Sequence, residues 1–414
     1  MSVPQNYAAD GLIACHACDG VHRIVAVPPR ARAMCGRCGT QLYRNMPRAL
    51  DHSTALYLAA LILFVMANAF PFVALKYGDR VESSVLASGA LALTKMGMPE
   101  LGVLVILTSI VFPLLTIGGM VYLLLPMRLG FEPPAKTAVW RMVRALNPWS
   151  LIGVFMLGLL VSVVKLQDLA TIVPGAAFYA FVALLVVSSA AMASFDPAVL
   201  WPLCGPHAAA TARSTSAADI GYAVCHTCDL LVARKETRCP RCASAMHGVR
   251  RPNSIARTWA LLSAATLLLV PANLYPVMTV IRFGQGEPNT ILSGVVHLIE
   301  DGAWPLALLV FFASFVVPIT KILVLGLLLV TVQNGSSWRV RDRTLLYGLT
   351  EAVGAWSMVD IFLVAILVAL VRLDALATVT PGIGATFFGA AVVLTMFAAH
   401  AFDPRLVWDN AKAR

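Results

Sequence analysis

The sequence predicts an all-α polytopic membrane protein made of two tandem four-helix transmembrane units, each preceded by a small cysteine-rich head. Three observations predict it. Mean hydropathy is +0.79, with 59% hydrophobic and 13% charged residues, about half the charged content of an ordinary soluble domain. Apolar runs recur at lengths that cross a bilayer, for which about 20 residues are needed. The chain also repeats itself. Asn68 and Asn273, Pro71 and Pro276, Ser109 and Ser314, and Pro113 and Pro318 each lie 205 positions apart. Trp149-Ser150 and Trp356-Ser357, Pro174-Gly175 and Pro381-Gly382, and Phe195-Asp196-Pro197 and Phe402-Asp403-Pro404 lie 207 apart. That period is too long for a solenoid repeat and reads as two copies of one domain. Duplicated membrane proteins commonly build their working site between or inside the copies.

In chain order, residues 1–50 form the first head, and 51–203 the first membrane unit, with spans at 53–74, 99–126, 149–165 and 174–194. Residues 204–250 hold a linker and the second head. Residues 251–404 form the second unit, with spans at 258–280, 303–332, 354–371 and 381–402, and 405–414 are a tail. The first 50 residues are polar and basic, unlike a cleavable leader with an apolar core. Arg23, Arg30, Arg32, Arg37, Arg44 and Arg48 precede the first span. Loop 127–148 sets Arg128, Lys136, Arg141 and Arg144 against Glu132, and loop 333–348 sets Arg339, Arg341 and Arg343 against Asp342. The positive-inside rule therefore predicts cytoplasmic termini, heads and basic loops. The net charge of +10 reads as a topology signal. No nucleic-acid partner is expected, since that would want a basic stripe with interleaved aromatics on one soluble domain.

Each head carries two Cys-x-x-Cys pairs: Cys15/Cys18 with Cys35/Cys38, and Cys225/Cys228 with Cys239/Cys242. This is the spacing of a cytoplasmic four-cysteine zinc ribbon, in which four thiolates meet around one tetrahedral ion. Zinc or a similar tetrahedral metal is therefore expected at two structural sites. Disulfides fit poorly with a cytoplasmic head, and a redox Cys-x-x-Cys needs a thioredoxin-like context that about 40 residues cannot hold. A closed four-thiolate site leaves no open coordination position, so the metal holds the head together and performs no chemistry. His16 and His226 read as surface histidines. Cys204 stands alone near the end of the fourth span.

Inside the spans, proline frees carbonyls that protein or water must cover. Asn68-x-x-Pro71 and Asn273-x-x-Pro276 end the first helix of each copy, and Ser109 and Ser314 precede Pro113 and Pro318 in the second. Intramembrane charge costs a few kcal/mol and normally faces a bundle interior or water. Lys321 and Asp360, with Glu351 just before the seventh span, belong to copy two, where copy one has Thr116, Gly153 and Arg144. Lys165 and Asp168, spaced i and i+3, can pair on one helical face or snorkel at a span end. Copy two has Arg372 and Asp374 instead. His297 with Glu300 and Asp301 reads as a solvated loop cluster. No Walker A loop, G-x-S-x-G, H-E-x-x-H or dinucleotide fingerprint occurs, so the chain is not expected to be an enzyme.

The chain resembles the paraquat-inducible protein A family of bacterial inner-membrane proteins. The resemblance is carried by Cys225-His-Thr-Cys-Asp-Leu-Leu-Val with Cys239-Pro-Arg-Cys, by the Asn-x-x-Pro helices and by Trp149-Ser150 through Val164-Lys165-Leu166 to Pro174-Gly175. The closing Phe-Asp-Pro fits as well. It covers nearly the whole chain, twice. It implies a bacterial inner-membrane partner of MCE-domain proteins that handles phospholipid or a similar amphiphile. Lys165 and Asp168 resemble a polar pair in the family's membrane core. The expected mechanism is an amphiphile cavity whose polar patch draws on Asn68, Ser109, Asn273, Ser314, Lys321 and Asp360, with Lys165 and Asp168 as a proton-sensitive pair. The alternatives are a non-transporting anchor for an MCE protein, and efflux of a redox-active cation.

Overall fold

The computed structural model describes residues 11–77, 80–84, 87–166, 171–201, 216–246, 250–282, 285–300, 302–370 and 377–409. The first ribbon pairs β1 (Leu12–Ala14) with β2 (Val21–Arg23) and β3 (Arg32–Met34) with β4 (Gln41–Arg44). There follow α1 (Ala49–Ala69), β5 (Val73–Tyr77), β6 (Arg80–Ser84), α2 (Ser88–Lys95), α3 (Pro99–Ile106), α4 (Phe112–Arg128), α5 (Lys136–Leu146), α6 (Ile152–Leu166), β7 (Thr171–Pro174) and α7 (Ala176–Ser194). The second ribbon pairs β8 (Tyr222–Val224) with β9 (Leu231–Ala233). The second unit then runs α8 (Ser254–Leu274), β10 (Met278–Arg282), β11 (Gln285–Asn289), α9 (Ile291–Glu300), α10 (Trp304–Phe311), α11 (Val317–Gln333), α12 (Val340–Val353), α13 (Val359–Leu370), β12 (Ala377–Pro381), α14 (Ile383–Ala401) and α15 (Leu406–Asp409).

Among the described residues, eight helical stretches are long and apolar enough to cross a membrane: Ala49–Ala69, Pro99–Arg128, Lys136–Ser162, Ala176–Ser194, Ser254–Leu274, Trp304–Gln333, Val340–Val368 and Ile383–Ala401. They divide four and four between the copies, so the chain is a multi-pass membrane protein. Four crossings per copy return the second ribbon to the side of the first.

Proline explains the irregularity in the second span of each copy. Pro113 has no N–H to give the Ser109 carbonyl, and Pro318 none for Ser314. At both places the helix widens to a π turn, at Leu107–Val111 and Phe312–Val316, which re-routes the ladder past the freed carbonyl.

The ends of the spans away from the ribbons carry small antiparallel sheets, ordered β6-β5-β7 and β11-β10-β12. These strands were not expected from the apolar runs. They tie together two repeated motifs. Gly175 N–H donates to Phe72 O and Gly382 N–H to Val277 O. A Cβ on Gly175 would stand 2.2 Å from Pro71 O, and one on Gly382 the same distance from Pro276 O. The Pro-Gly step therefore seats the fourth helix against the turn that closes the Asn-x-x-Pro helix, too tightly for any side chain.

The copies meet around α13, in which every side chain from Ile361 to Val368 is buried. Glycine permits the approach. A Cβ on Gly158 of α6 would lie 3.0 Å from Phe362 Cβ, and one on Gly89 of α2 would lie 2.8 Å from Ala365 O.

Candidate functional site

The metal centres are built from four copies of one turn. Cys15, Cys35, Cys225 and Cys239 each donate their N–H to the carbonyl five residues on, at Gly20, Thr40, Leu230 and Ser244. Each accepts at its own carbonyl from the residue four on, at Asp19, Gly39, Asp229 and Ala243. Those four residues all have positive φ, between 55° and 80°. Each turn folds its two thiols inward. The four sulfurs of each set lie within 4.8 Å of one another, with closest approaches of 3.5 Å. A tetrahedron with metal–sulfur bonds of about 2.3 Å has edges of about 3.8 Å, so the residues fit a four-cysteine metal centre. All eight thiols are free of disulfides. Hydrogen bonding among the crowded thiols pushes Cys18 up and Cys35 down, so four thiolates would need a cation between them. Neighbours support the sulfurs. His22 Nε2 is 3.2 Å from Cys35 Sγ, and the Ser244 hydroxyl is 3.1 Å and 3.0 Å from Cys225 and Cys242.

The ribbons dock crosswise, and the first also holds its own unit through Arg44, which donates to Ala193 O and Phe195 O. The first ribbon sits on the second membrane unit: the Arg37 guanidinium lies 4.5 Å over the Trp408 ring, and Arg250 bridges Asp19 and Asp409 at 3.2 Å and 2.5 Å. The second ribbon sits on the first unit, where Trp140 Nε1 donates to Thr227 O at 2.9 Å and Arg144 faces Asp229 at 3.6 Å. The ribbons also share a core of Leu12, Ala14, Val21, Ala217, Val224 and Leu231.

Between the copies lies a cavity of about 780 Å³. The first copy lines it with residues between Asn147 and Leu157 and with Leu185 and Met192. The second contributes Lys321, residues between Gly348 and Trp356, Met396, Ala399 and His400. Apolar side chains make most of the wall. Lys321 is buried, and a Cβ on Gly354 would lie 2.7 Å from its Nζ. Glu351 faces His400 at 3.7 Å on the same wall. The rings of Trp149 and Phe397 meet across the copies with centroids 4.8 Å apart.

Residues 50–204 and 255–412 each match the model of the family described as Paraquat-inducible protein A. The chain belongs to that family. It is 32% identical over 404 residues to "Intermembrane transport protein PqiA" of Escherichia coli (strain K12), covering 96% of this chain and 95% of that one. It is 31% identical to "Lipophilic envelope-spanning tunnel protein A" of the same organism, covering 95% and 90%. A 26% match to "Probable intermembrane transport protein" of Haemophilus influenzae covers 96% and 95%. No solved structure matches the chain.

Within this family member, Lys321 lies in the cavity wall, and so does Gly153, the first-copy counterpart of Asp360. Asn68 and Asn273 lie elsewhere and turn back on their own helices, donating to Phe64 O and Leu269 O, both at 2.8 Å. Ser109 donates to Val105 O at 2.6 Å, while the buried Ser314 hydroxyl has no partner among the described residues. Asp168, Cys204, Arg372, Asp374 and Asp301 lie outside the described residues, as do the side chains of Lys165 and Asp360. His226 is exposed, with Nε2 3.0 Å from Arg405 Nη2.

Two cavity residues carried weak sequence signals. Gly354 and His400 fall at Asn147 and Ala193 of the first copy, so the repeat does not mark them. Comparing the copies for lost symmetry, rather than for matches, would have found both.

Proposed function

We propose that the chain is the inner-membrane subunit of a bacterial envelope lipid-transport system. In this reading it passes a phospholipid or similar amphiphile between the inner membrane and an MCE-domain tunnel partner. Its ribbons and termini are cytoplasmic, and zinc fills both four-cysteine sites as a structural ion. The observation that carries the reading is the cavity. It sits between two copies in a bilayer-spanning body, has mainly apolar walls and holds a buried amine. Its volume falls within the range of small-molecule sites, about 300–1,000 Å³, enough for a headgroup with part of its acyl chains. The names of the relatives, intermembrane transport and lipophilic tunnel, support the same class of cargo.

The ribbons contribute no chemistry here. By docking crosswise they tie each unit's ribbon-side end to the other unit, which keeps the cavity walls in register. Asp168, Asp360 and Lys165 remain proposed polar residues of the membrane core.

The test fills the cavity. Leu157→Trp should abolish complementation of an envelope-barrier defect while membrane abundance stays near wild type. Full activity of that variant would reject a cavity route and favour the anchor alternative.

A further inference from the structure

We infer that Lys321 makes the cavity selective for amphiphiles with an anionic headgroup, drawn from the leaflet on the ribbon side. The inference rests on the cavity reading above and adds charge selectivity and sidedness to it.

The lining residues Asn147 to Leu157 surround the start of α6 at Ile152, and Met396 to His400 close α14. Both lie toward the ribbon side: α14 ends there, and α5, which leads into α6, holds Trp140 against the second ribbon. The cavity therefore meets the ribbon-side leaflet. Lys321 stands twelve residues before Gln333, the ribbon-side end of α11, or about 18 Å along the axis at 1.5 Å per residue. A headgroup held there has been pulled below the level where the surrounding headgroups lie.

A lysine in a membrane interior costs a few kcal/mol and is normally satisfied by an anion or by dipoles. Among the described side chains, which do not include that of Asp360, no carboxylate lies within ion-pair distance of Lys321. Glu351, the described acid in the cavity wall, faces His400 and is half exposed. The Lys321 side chain is only 3% exposed, yet it borders the cavity. Its three N–H donors are therefore set to meet a group that enters the cavity, and the matching acceptor in a bilayer is a phosphate oxygen whose charge is not offset by an ammonium on the same headgroup.

The local sequence is shaped for this amine. Gly354 begins the 3-10 turn Gly354–Met358, and it lacks the Cβ that would stand 2.7 Å from Nζ. The first copy has Thr116 and Asn147 at these two positions. Thr116 spends its hydroxyl on Phe112 O and Pro113 O of its own helix. Copy one therefore supplies apolar wall, and copy two supplies the charge.

The experiment uses the full chain in nanodiscs of equal phosphatidylglycerol and phosphatidylethanolamine, with retained lipid identified by native mass spectrometry. The expected result is a ratio of retained phosphatidylglycerol to phosphatidylethanolamine of about ten to one, the value of one charged hydrogen bond. Lys321→Met should erase the enrichment and Lys321→Arg should keep it. Lys321→Met should melt at or above the wild-type temperature, since it removes an unpaired buried charge, and Gly354→Ala, which crowds Nζ and leaves the lysine in place, should reduce the enrichment independently. Retained lipid without headgroup preference, unchanged by Lys321→Met, overturns this inference and leaves the cavity reading standing. A wild-type chain that retains no lipid overturns both.

Discussion

Asp403 and Arg405 form a fully buried ion pair, with Asp403 Oδ1 and Oδ2 each accepting from the guanidinium at 2.9 Å. Asp196, the first-copy counterpart of Asp403, is also buried but has Ala198 where Arg405 would be. The same Phe-Asp-Pro motif thus sits in opposite electrostatic settings. In both copies an arginine covers the end of the preceding helix: Arg44 donates to Ala193 O and Phe195 O, and Arg251 to His400 O. Burial pushes Asp196 up from the usual carboxylate range. Burial acts on Asp403 as well, but its bonds to Arg405 outweigh it and hold the group down.

The signs follow by linkage. Asp403, with its folded pKa lowered, contributes stability that is present above the unfolded carboxylate range and is lost as pH falls through its folded value. Asp403→Asn should therefore cost about 3 kcal/mol near neutral pH, since it strands a buried arginine, and much less in acid. Asp196 has a raised folded pKa, so its ionisation lowers stability as pH rises through that value. Asp196→Asn keeps the acceptor for Ala198 N–H and should be neutral or stabilising at pH 7. Thermal melts across pH check both, and equal losses for the two variants would contradict the assignment.

Metal analysis should find about two ions per chain, one for each set of four cysteines. Crosswise docking adds a spatial test by hydrogen exchange. Cys18→Ser should raise exchange in α15 and at the start of α12, on the second unit. Cys228→Ser should raise it in α5, on the first. Loosening confined to the unit that follows each ribbon in sequence would contradict the docking.

The contacts between the copies predict steric effects. Gly158→Ala should cost about 1–3 kcal/mol by overpacking against Phe362 and Val359. Gly153→Ala, whose Cβ would meet only Leu185 at 3.4 Å, should be mild. Thermal stability in detergent separates them, and indistinguishable melts would mean that the copies do not meet this way.

Trp149 and Phe397 should show a coupling of about 0.5–1.5 kcal/mol in a double-mutant cycle with alanine, typical of aromatic pairs. Additive losses would place the rings out of contact.

Much of this architecture was legible in the chain. Apolar run length set the number of spans and Cys-x-x-Cys spacing the metal centres, because both are local in sequence, but the third span of each copy begins earlier than its apolar run, at Lys136 and Val340, within the stretches read as basic loops. The 205-residue offset also marked Pro113 and Pro318 as places that lose the same ladder bond, and the π turns, which were not expected, lie there. The sheets were hidden because Val73–Tyr77 and Met278–Arg282 merge with the apolar runs before them, and a short apolar strand has no period that separates it from a span end. The cavity was hidden for a different reason. Its walls join Leu157 of one copy to Lys321 of the other, a pairing set by the glycine contacts around α13, and no spacing in the sequence records which helices of the two copies will face each other.

The central claim is that the space between the copies holds an amphiphile. An electron cryomicroscopy map of the full chain in lipid nanodiscs tests it most directly. The account predicts elongated acyl-chain density between α6 and α14 with its head beside Lys321. A cavity closed by direct packing of Leu157 against Met396, or one that shows only water, would contradict it.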